Sequence, residues 1–239
     1  MEYQFLEVET SDSIRLIRLN RPEVRNAFNS TMTFELADCL YESDSNSEVN
    51  VVILTGSGKG FSSGADIKEG VDMWEKLKSA KNRKPIPDYL VKEFSKPIIA
   101  AINGSAIGFG LTVTLGCDIR IAAESALMSM RFTQIGLIPE AGSPYLLPWI
   151  VGLANALDLS LTAKTIGAEE AYRVGLVNYV VPDDQLMAKA REIAEGIAAK
   201  PELAMSIAKR SFYDSLDCTF EEQRKMEKPN FDRALGINQ

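Results

Sequence analysis

The sequence predicts an α/β core of buried strands joined by helical crossovers, followed by a helical C-terminal region. Three observations support this class. Continuous apolar runs end in glycine at VNVVILTG (49–56) and PIIAAING (97–104), the mark of strands covered on both faces. Helix-patterned stretches alternate with strand-like ones up to about residue 150, as crossovers between parallel strands require. Beyond that point the pattern turns helical.

The elements follow in order. SIRLIRLN (13–20) is rich in isoleucine and leucine and reads as a strand. NSTMTFELADCLYES (29–43) reads as a helix capped by Asn29 or Ser30, with Met32, Leu36, Cys39 and Leu40 on one face. The run 49–56 is a buried strand that leads into the glycine turn TGSGKGFSSG (55–64). Residues 70–96 are charged, with Pro85 and Pro87, and read as a mobile excursion whose Met73, Trp74 and Tyr89 cover a ligand or pack as a loop helix. PIIAAING is the next strand, GFGLTVTLGC (108–117) a helix, and DIRIAAE (118–124) a third buried strand. DDQLMAKAREIAEGIAAK (183–200) and PELAMSIAKRSFYDSL (201–216) carry acids early and bases late, as the helix dipole favours. Pro201 suits a first helical position, and the last piece reads as a helix interrupted at Pro229. No linker-like shift appears, so residues 1–182 form the core and 183–239 a helical appendage.

Composition narrows the function. An apolar share of 46% with 25% charged residues over 239 positions fits a soluble globular protein. The net charge of −7 disfavours nucleic acid as a partner, and the one dense basic run, KSAKNRK (78–84), reads as a solvated loop. Cys39, Cys117 and Cys218 form no CxxC pair. Together with an N-terminus lacking a signal-peptide pattern, they suit a reducing, cytoplasmic setting. Residues 98–117 carry no charge, but Asn103, Gly104, Gly108 and Gly110 interrupt them. A strand, turn and helix explain that stretch better than a membrane span. The chain contains no histidine, which excludes Ser-His-Asp and Cys-His catalysis and most zinc sites.

Two motifs are decoys. Gly58-Lys59-Gly60 lacks the spacing of a phosphate-binding P-loop. GFSSG (60–64) matches G-x-S-x-G, but with no histidine to take its proton Ser62 is no triad nucleophile. What remains is a glycine turn entering GADIK (64–68) and a second at NGSAIGFG (103–110) that opens a helix. Such turns leave main-chain N–H groups free to meet an oxygen.

In this order and spacing the two turns resemble the crotonase (enoyl-CoA hydratase/isomerase) superfamily. The resemblance runs through IRLNRPEVRNAFN (17–29), VVILTGSGKGFSSGADIKE (51–69), KPIIAAINGSAIGFGLTVTLGCDIRIAAESA (96–126), GLIPEAGS (136–143) and LTAKTIGAEEAYRVGLVNYVVP (161–182). It implies a spiral of ββα turns, a C-terminal helical trimerisation region, and homotrimers or dimers of trimers. It also implies acyl-CoA substrates of the kind met in fatty acid metabolism, with coenzyme A part of the substrate and no further cofactor or metal. The oxyanion-hole donors fall on the N–H groups of Ala65 and Phe109, the latter also presenting a bulky side chain. The CoA nucleotide falls along Val24, Arg25, Ser63, Gly64, Ala65, Asp66 and Ile67, with Arg25 as a phosphate contact.

Departures from the pattern select the reaction. The two glutamates with which the family's hydratases ionise water fall on Thr112 and Phe132, neither of which is a carboxylate. With Trp74 these shape the acyl pocket. The family's isomerases carry an acid in a following loop, and here that position is Glu140. No other charge lies between Arg131 and Trp149, and its apolar neighbours Ile135, Leu137, Ile138, Leu146 and Leu147 should raise its pKa towards neutrality. The expected reaction is a 1,3 proton transfer converting 3-enoyl-CoA to 2-enoyl-CoA. The alternatives are hydration or another crotonase-type reaction and, in a different class, a non-catalytic binding subunit.

Overall fold

The computed structural model describes residues 2–69, 75–76, 79 and 86–237. Strands β1 (Leu6–Ser11) and β2 (Ile14–Leu19) form a hairpin that leads to helix α1 (Ser30–Ser45). Three strand–strand–helix units follow: β3 (Val51–Gly56), β4 (Gly60–Ser62) and α2 (Ile86–Lys92); β5 (Ile98–Ile102), β6 (Ser105–Ile107) and α3 (Phe109–Leu115); β7 (Ile119–Ala123), β8 (Leu127–Ser129) and α4 (Ser143–Val151). In each unit the first strand joins a six-stranded sheet and the second a four-stranded one. The chain therefore climbs as a spiral. Helix α5 (Leu153–Thr162), β9 (Ile166–Gly167), α6 (Ala168–Arg173) and β10 (Tyr179–Val181) close the core. Helices α7 (Leu186–Ala198), α8 (Glu202–Asp214) and α9 (Phe220–Ala234) follow.

The large sheet runs β1-β2-β3-β5-β7-β10, antiparallel only in its first pair. The small sheet runs β4-β6-β8-β9, with β9 antiparallel. Every residue of β3 and β5 is buried, and alternate positions serve different cores. Val52, Leu54, Ile98 and Ala100 face the interior between the sheets. Val51, Ile53, Ile99 and Ala101 face the other way, against Leu186, Ala190 and Ala194 of α7. A strand covered on both faces needs apolar side chains at both parities, which is why these runs are uninterrupted. The uncharged stretch 98–117 resolves into β5, the Asn103–Gly104 turn, β6 and α3. No helix of the described residues is long and apolar enough to cross a membrane.

Local signals explain several boundaries. Asn29 caps α1, its side chain accepting the Met32 N–H at 2.8 Å. Thr219 and Glu222 form a reciprocal capping box at the start of α9.

One strand was missed and three expectations are corrected. β1 is a strand that the polar sequence LEVETS does not advertise, because it lies at the edge of the large sheet with mostly exposed side chains. The stretch 70–96 is not an excursion throughout: α2 buries Ile86, Leu90 and Val91, and Phe94 follows into the core. Met73, Trp74 and the Tyr89 side chain lie outside the described residues. Pro201 is the N-cap of α8, one position before the helix. Helix α9 continues through Pro229; the Lys225 carbonyl that loses its helical partner lies on an exposed stretch, open to solvent.

A buried polar network ties α8 to the sheet. The Lys209 ammonium pairs with Asp118 at 3.0 Å, donates to the Lys96 carbonyl at 2.8 Å and lies 5.0 Å from the Phe94 ring centroid. Asp118 also accepts from the Ile98 N–H at 2.8 Å and the Tyr213 hydroxyl at 3.1 Å. Removing one member of such a pair strands the other charge. Lys209→Ala is expected to cost about 3 kcal/mol, read as a lower urea midpoint at an unchanged slope of free energy against denaturant.

Candidate active site

The turn after β4 is held against residues 21–30. The Ser63 N–H donates to the Arg25 carbonyl at 2.9 Å, and the Gly64 N–H to the Ser62 hydroxyl at 3.2 Å. Phe28 forms a bridge with this segment: its N–H donates to the Gly64 carbonyl, and its carbonyl accepts the Asp66 N–H, both at 2.8 Å. Ala65, between them, is left over. Among the described residues no acceptor takes its N–H.

The second turn follows β6. Gly108, at φ +52°, anchors its N–H to the Ser129 carbonyl at 2.8 Å and turns the chain into α3. That left-handed conformation suits glycine. Phe109 is the first residue of α3, so its N–H has no intrahelical acceptor. The two turns touch: a Cβ added to Gly64, at φ +101°, would lie 2.7 Å from the Ile107 carbonyl oxygen and 3.6 Å from the Phe109 nitrogen. Only a bare glycine permits this approach. The free N–H groups of Ala65 and Phe109 therefore sit on adjoining backbone, as donors to a single oxygen must.

The Phe109 ring points elsewhere than expected. It is buried and meets Phe28 edge-on, centroids 5.1 Å apart at 90°, so it fastens α3 to the segment behind Ala65 instead of projecting into a ligand site. Thr112 and Phe132 are both buried beside Gly108. The Thr112 hydroxyl donates to the Gly108 carbonyl at 3.2 Å, and the Phe132 Cζ lies 4.0 Å from where a Gly108 Cβ would be. Neither offers a carboxylate. Trp74, the third expected pocket residue, lies outside the described residues.

Glu140 is half-buried in the loop between the Thr133–Ile135 turn and α4, a helix that packs on α3. Its backbone carbonyl accepts the Ser143 N–H at 3.0 Å and hydroxyl at 2.7 Å. Ala141 and Gly142 then turn at φ 51° and 76°, an unfavourable conformation for alanine that the surrounding loop enforces. The carboxylate has no hydrogen bond or ion pair among the described residues. Burial raises its pKa to about 7. Uncompensated desolvation of this kind disfavours the ionised form and is frequent at catalytic acids and bases.

Val24 and Arg25 end the short Pro22–Val24 turn. The Val24 carbonyl accepts the Ser63 hydroxyl at 3.2 Å, and Arg25 is exposed. Arg25 and Ser63 line a cleft of about 770 Å³ over the outer face of the small sheet. Sequence reasoning missed two of its cations, Lys59 and Arg131, which with Arg25 outnumber the single acid Glu23. Asp66 is half-buried, and the Ile67 side chain is 86% exposed. Glu69 anchors the far end of the turn, accepting from the Ser30 N–H at 2.6 Å, the Ser30 hydroxyl at 2.5 Å and Lys76 at 2.7 Å. Burial opposes its charge, but those donors outweigh it and hold the pKa down to about 2. No cluster of three or more metal-ligating side chains occurs among the described residues.

The model of the enoyl-CoA hydratase/isomerase family matches residues 9–236. The chain belongs to this family. It is 36% identical to a probable enoyl-CoA hydratase of Rhodobacter capsulatus, over 95% of this chain and 88% of that one. It is 32% identical to the 1,2-epoxyphenylacetyl-CoA isomerase of Escherichia coli, over 98% and 90%. The crystal structure of an enoyl-CoA hydratase from Bacillus anthracis superposes with a TM-score of 0.90 at 35% identity, covering 98% of this chain and 92% of that one. Crotonase-type acyl-CoA chemistry is thus this chain's function class, and the names of its relatives span more than one reaction.

The raised pKa of Glu140 carries a stability consequence. The folded protein holds this proton more tightly than the unfolded chain does, so stability falls as pH rises from the ordinary carboxylate range to about 7. Glu140→Gln is expected to raise the melting temperature at about pH 8 and to leave it unchanged at about pH 4, as differential scanning calorimetry would show.

Proposed function

We propose that this enzyme shifts the double bond of a 3-enoyl-CoA into conjugation, giving 2-enoyl-CoA. The observation that carries the reading is Glu140: a half-buried carboxylate without a partner among the described residues, its pKa raised by burial to about 7, near neutrality where a group that must take up and release a proton works best. The thioester carbonyl lies between the Ala65 and Phe109 N–H groups. Glu140 removes a proton from C2, and the electron pair moves into the carbonyl to form a dienolate whose oxygen those N–H groups stabilise. The same proton returns at C4, the double bond settles between C2 and C3, and Glu140 is regenerated. One carboxylate suffices because the proton leaves and returns on one side of the chain.

Thr112 and Phe132 occupy the positions that the family resemblance gives to the hydratase carboxylates. The Thr112 hydroxyl is engaged with its own helix, and Phe132 is apolar. Neither can take a proton from water, which weighs against hydration although two of the relatives reported above are called hydratases. The cationic cleft of Arg25, Lys59 and Arg131 suits the phosphates of coenzyme A. A homotrimer, or a dimer of trimers, is the proposed assembly. An uncharged apolar stripe of Tyr145, Trp149, Leu153, Leu157 and Leu161 is exposed along α4 and α5, a surface of the kind that associates.

Ultraviolet absorbance tests the reaction. A 3-enoyl-CoA should gain conjugated-enoyl absorbance, and a 2-enoyl-CoA should keep it. The kcat/KM profile should rise to a plateau through about pH 7 as Glu140 ionises. Glu140→Gln should lose about 100-fold or more in kcat while still binding acyl-CoA. Full turnover by that variant, or loss of absorbance from the 2-enoyl substrate, would overturn the assignment.

A further inference from the structure

We propose that Arg21 and Asp66 are positioning residues for this chemistry: their ion pair aims the Ala65 N–H at the thioester oxygen. The inference rests on the reading that Ala65 and Phe109 grip that oxygen, and it goes beyond it by asking what holds the first donor in place.

In a trans peptide the C=O and N–H point in opposite directions. The Ala65 N–H shares its peptide plane with the Gly64 carbonyl, which accepts the Phe28 N–H at 2.8 Å. Pinning that carbonyl to Phe28 therefore sends the Ala65 N–H away from Phe28, and the Phe109 nitrogen lies on the adjoining turn, 3.6 Å from where a Gly64 Cβ would stand. The aim of the donor is only as firm as the register between residues 27–28 and 64–66.

Arg21 fastens that register from both sides. Its Nη1 donates to the Ala27 carbonyl at 2.6 Å, immediately before Phe28, and to Asp66 Oδ2 at 3.1 Å, immediately after Ala65. Asp66 in turn accepts the Lys68 N–H at 3.1 Å, which folds the turn behind it. The guanidinium is stacked 4.8 Å from the Phe5 ring centroid, so it cannot swing freely. The pair is largely shielded, with 11% and 13% of the two side chains exposed, and Arg21 Nε is buried without a partner among the described residues. Burying two charges and leaving a donor unmet is a poor way to gain stability. It is a good way to fix one backbone segment against another, since a single guanidinium nitrogen, held in place by the plane stacked on Phe5, bonds both segments at once.

The test reads carbonyl polarisation directly. A saturated acyl-CoA with a 13C-labelled thioester carbonyl does not react by double-bond migration, and its C=O stretch shifts to lower frequency when bound between N–H donors. The wild-type enzyme should show this shift. Asp66→Asn and Arg21→Gln should each shrink it and lower kcat roughly 10- to 100-fold, less than deletion of a donor, with KM changed less than about three-fold. The pH at which kcat/KM breaks should stay where Glu140 sets it. The double variant should be little worse than either single one, because the two side chains act as one unit. If a charge-removing variant does not fold, Arg21→Lys keeps the charge but lacks the planar group that stacks on Phe5 and holds Nη1 in place, and should show the same reduced shift.

An undiminished shift with wild-type kcat in folded variants would overturn this inference alone. So would losses that add fully in the double variant. A wild-type complex with no shift would instead remove the oxyanion reading itself, and the inference with it.

Discussion

Two backbone N–H groups, on Ala65 and Phe109, lie on adjoining turns with no acceptor of their own among the described residues. Buried backbone donors are nearly always satisfied, so a fold that leaves two of them free side by side must enforce it. Gly64 provides the closeness, because a Cβ there would collide with the Ile107 carbonyl. Gly108 provides the turn, and α3 provides a first residue with nothing behind it to bond. The ββα spiral makes these local events coincide. β4 and β6 pair in parallel in the small sheet, so the loops leaving their C-terminal ends emerge side by side.

On the proposed reading, Glu140 is the base that works beside these donors. A glutamate in water is too weak a base to remove a carbon-bound proton, and one paired with lysine or arginine would be weaker still. Half-burial without a partner moves Glu140 the other way, to about 7. Glu69, 71 positions earlier in the chain, shows the opposite treatment. It is also partly buried, but three donors surround it and its pKa falls to about 2. The same side chain thus serves as an anchor in one place and as a candidate base in another, and the difference is the number of donors it meets.

Much of this was legible in the sequence, for physical reasons that differ by element. β3 and β5 could be read because burial on both faces demands an unbroken apolar run. β1 could not, because an edge strand with exposed side chains carries no such demand. α2 was hidden because the prolines and charges around it masked the buried spacing of Ile86, Leu90 and Phe94. Pro229 misled because a helix rule for interiors is weak where water can replace the missing bond. At the site, the upward shift of the Glu140 pKa was anticipated, but the sequence neighbours do not all account for it: Leu146 and Leu147 are buried, whereas Ile135, Leu137 and Ile138 are exposed. The Arg21–Asp66 pair was not anticipated, since 45 positions separate its members and only the fold brings them together. The burial of the Phe109 ring was likewise invisible, because its partner Phe28 lies on another turn of the spiral.

On the proposed reading, selectivity follows from what the site lacks as much as from what it holds. A dienolate gripped at its oxygen can be reprotonated at C2 or C4. Its conjugated product can be attacked at C3 by any water that a base has activated. A second carboxylate near the reacting carbons would supply that base. Thr112 cannot, because its hydroxyl is turned back onto the Gly108 carbonyl. Phe132 cannot, and its ring fills space beside the same glycine. The two residues beside Gly108 therefore do two things at once: they pack against the turn that leads to the Phe109 N–H, and neither brings a carboxylate to that place. Restoring a glutamate at one of them would not by itself recreate hydration. A hydratase needs two groups acting on one water, and a charge introduced beside Gly108 would first have to be accommodated by the turn on which the oxyanion site depends.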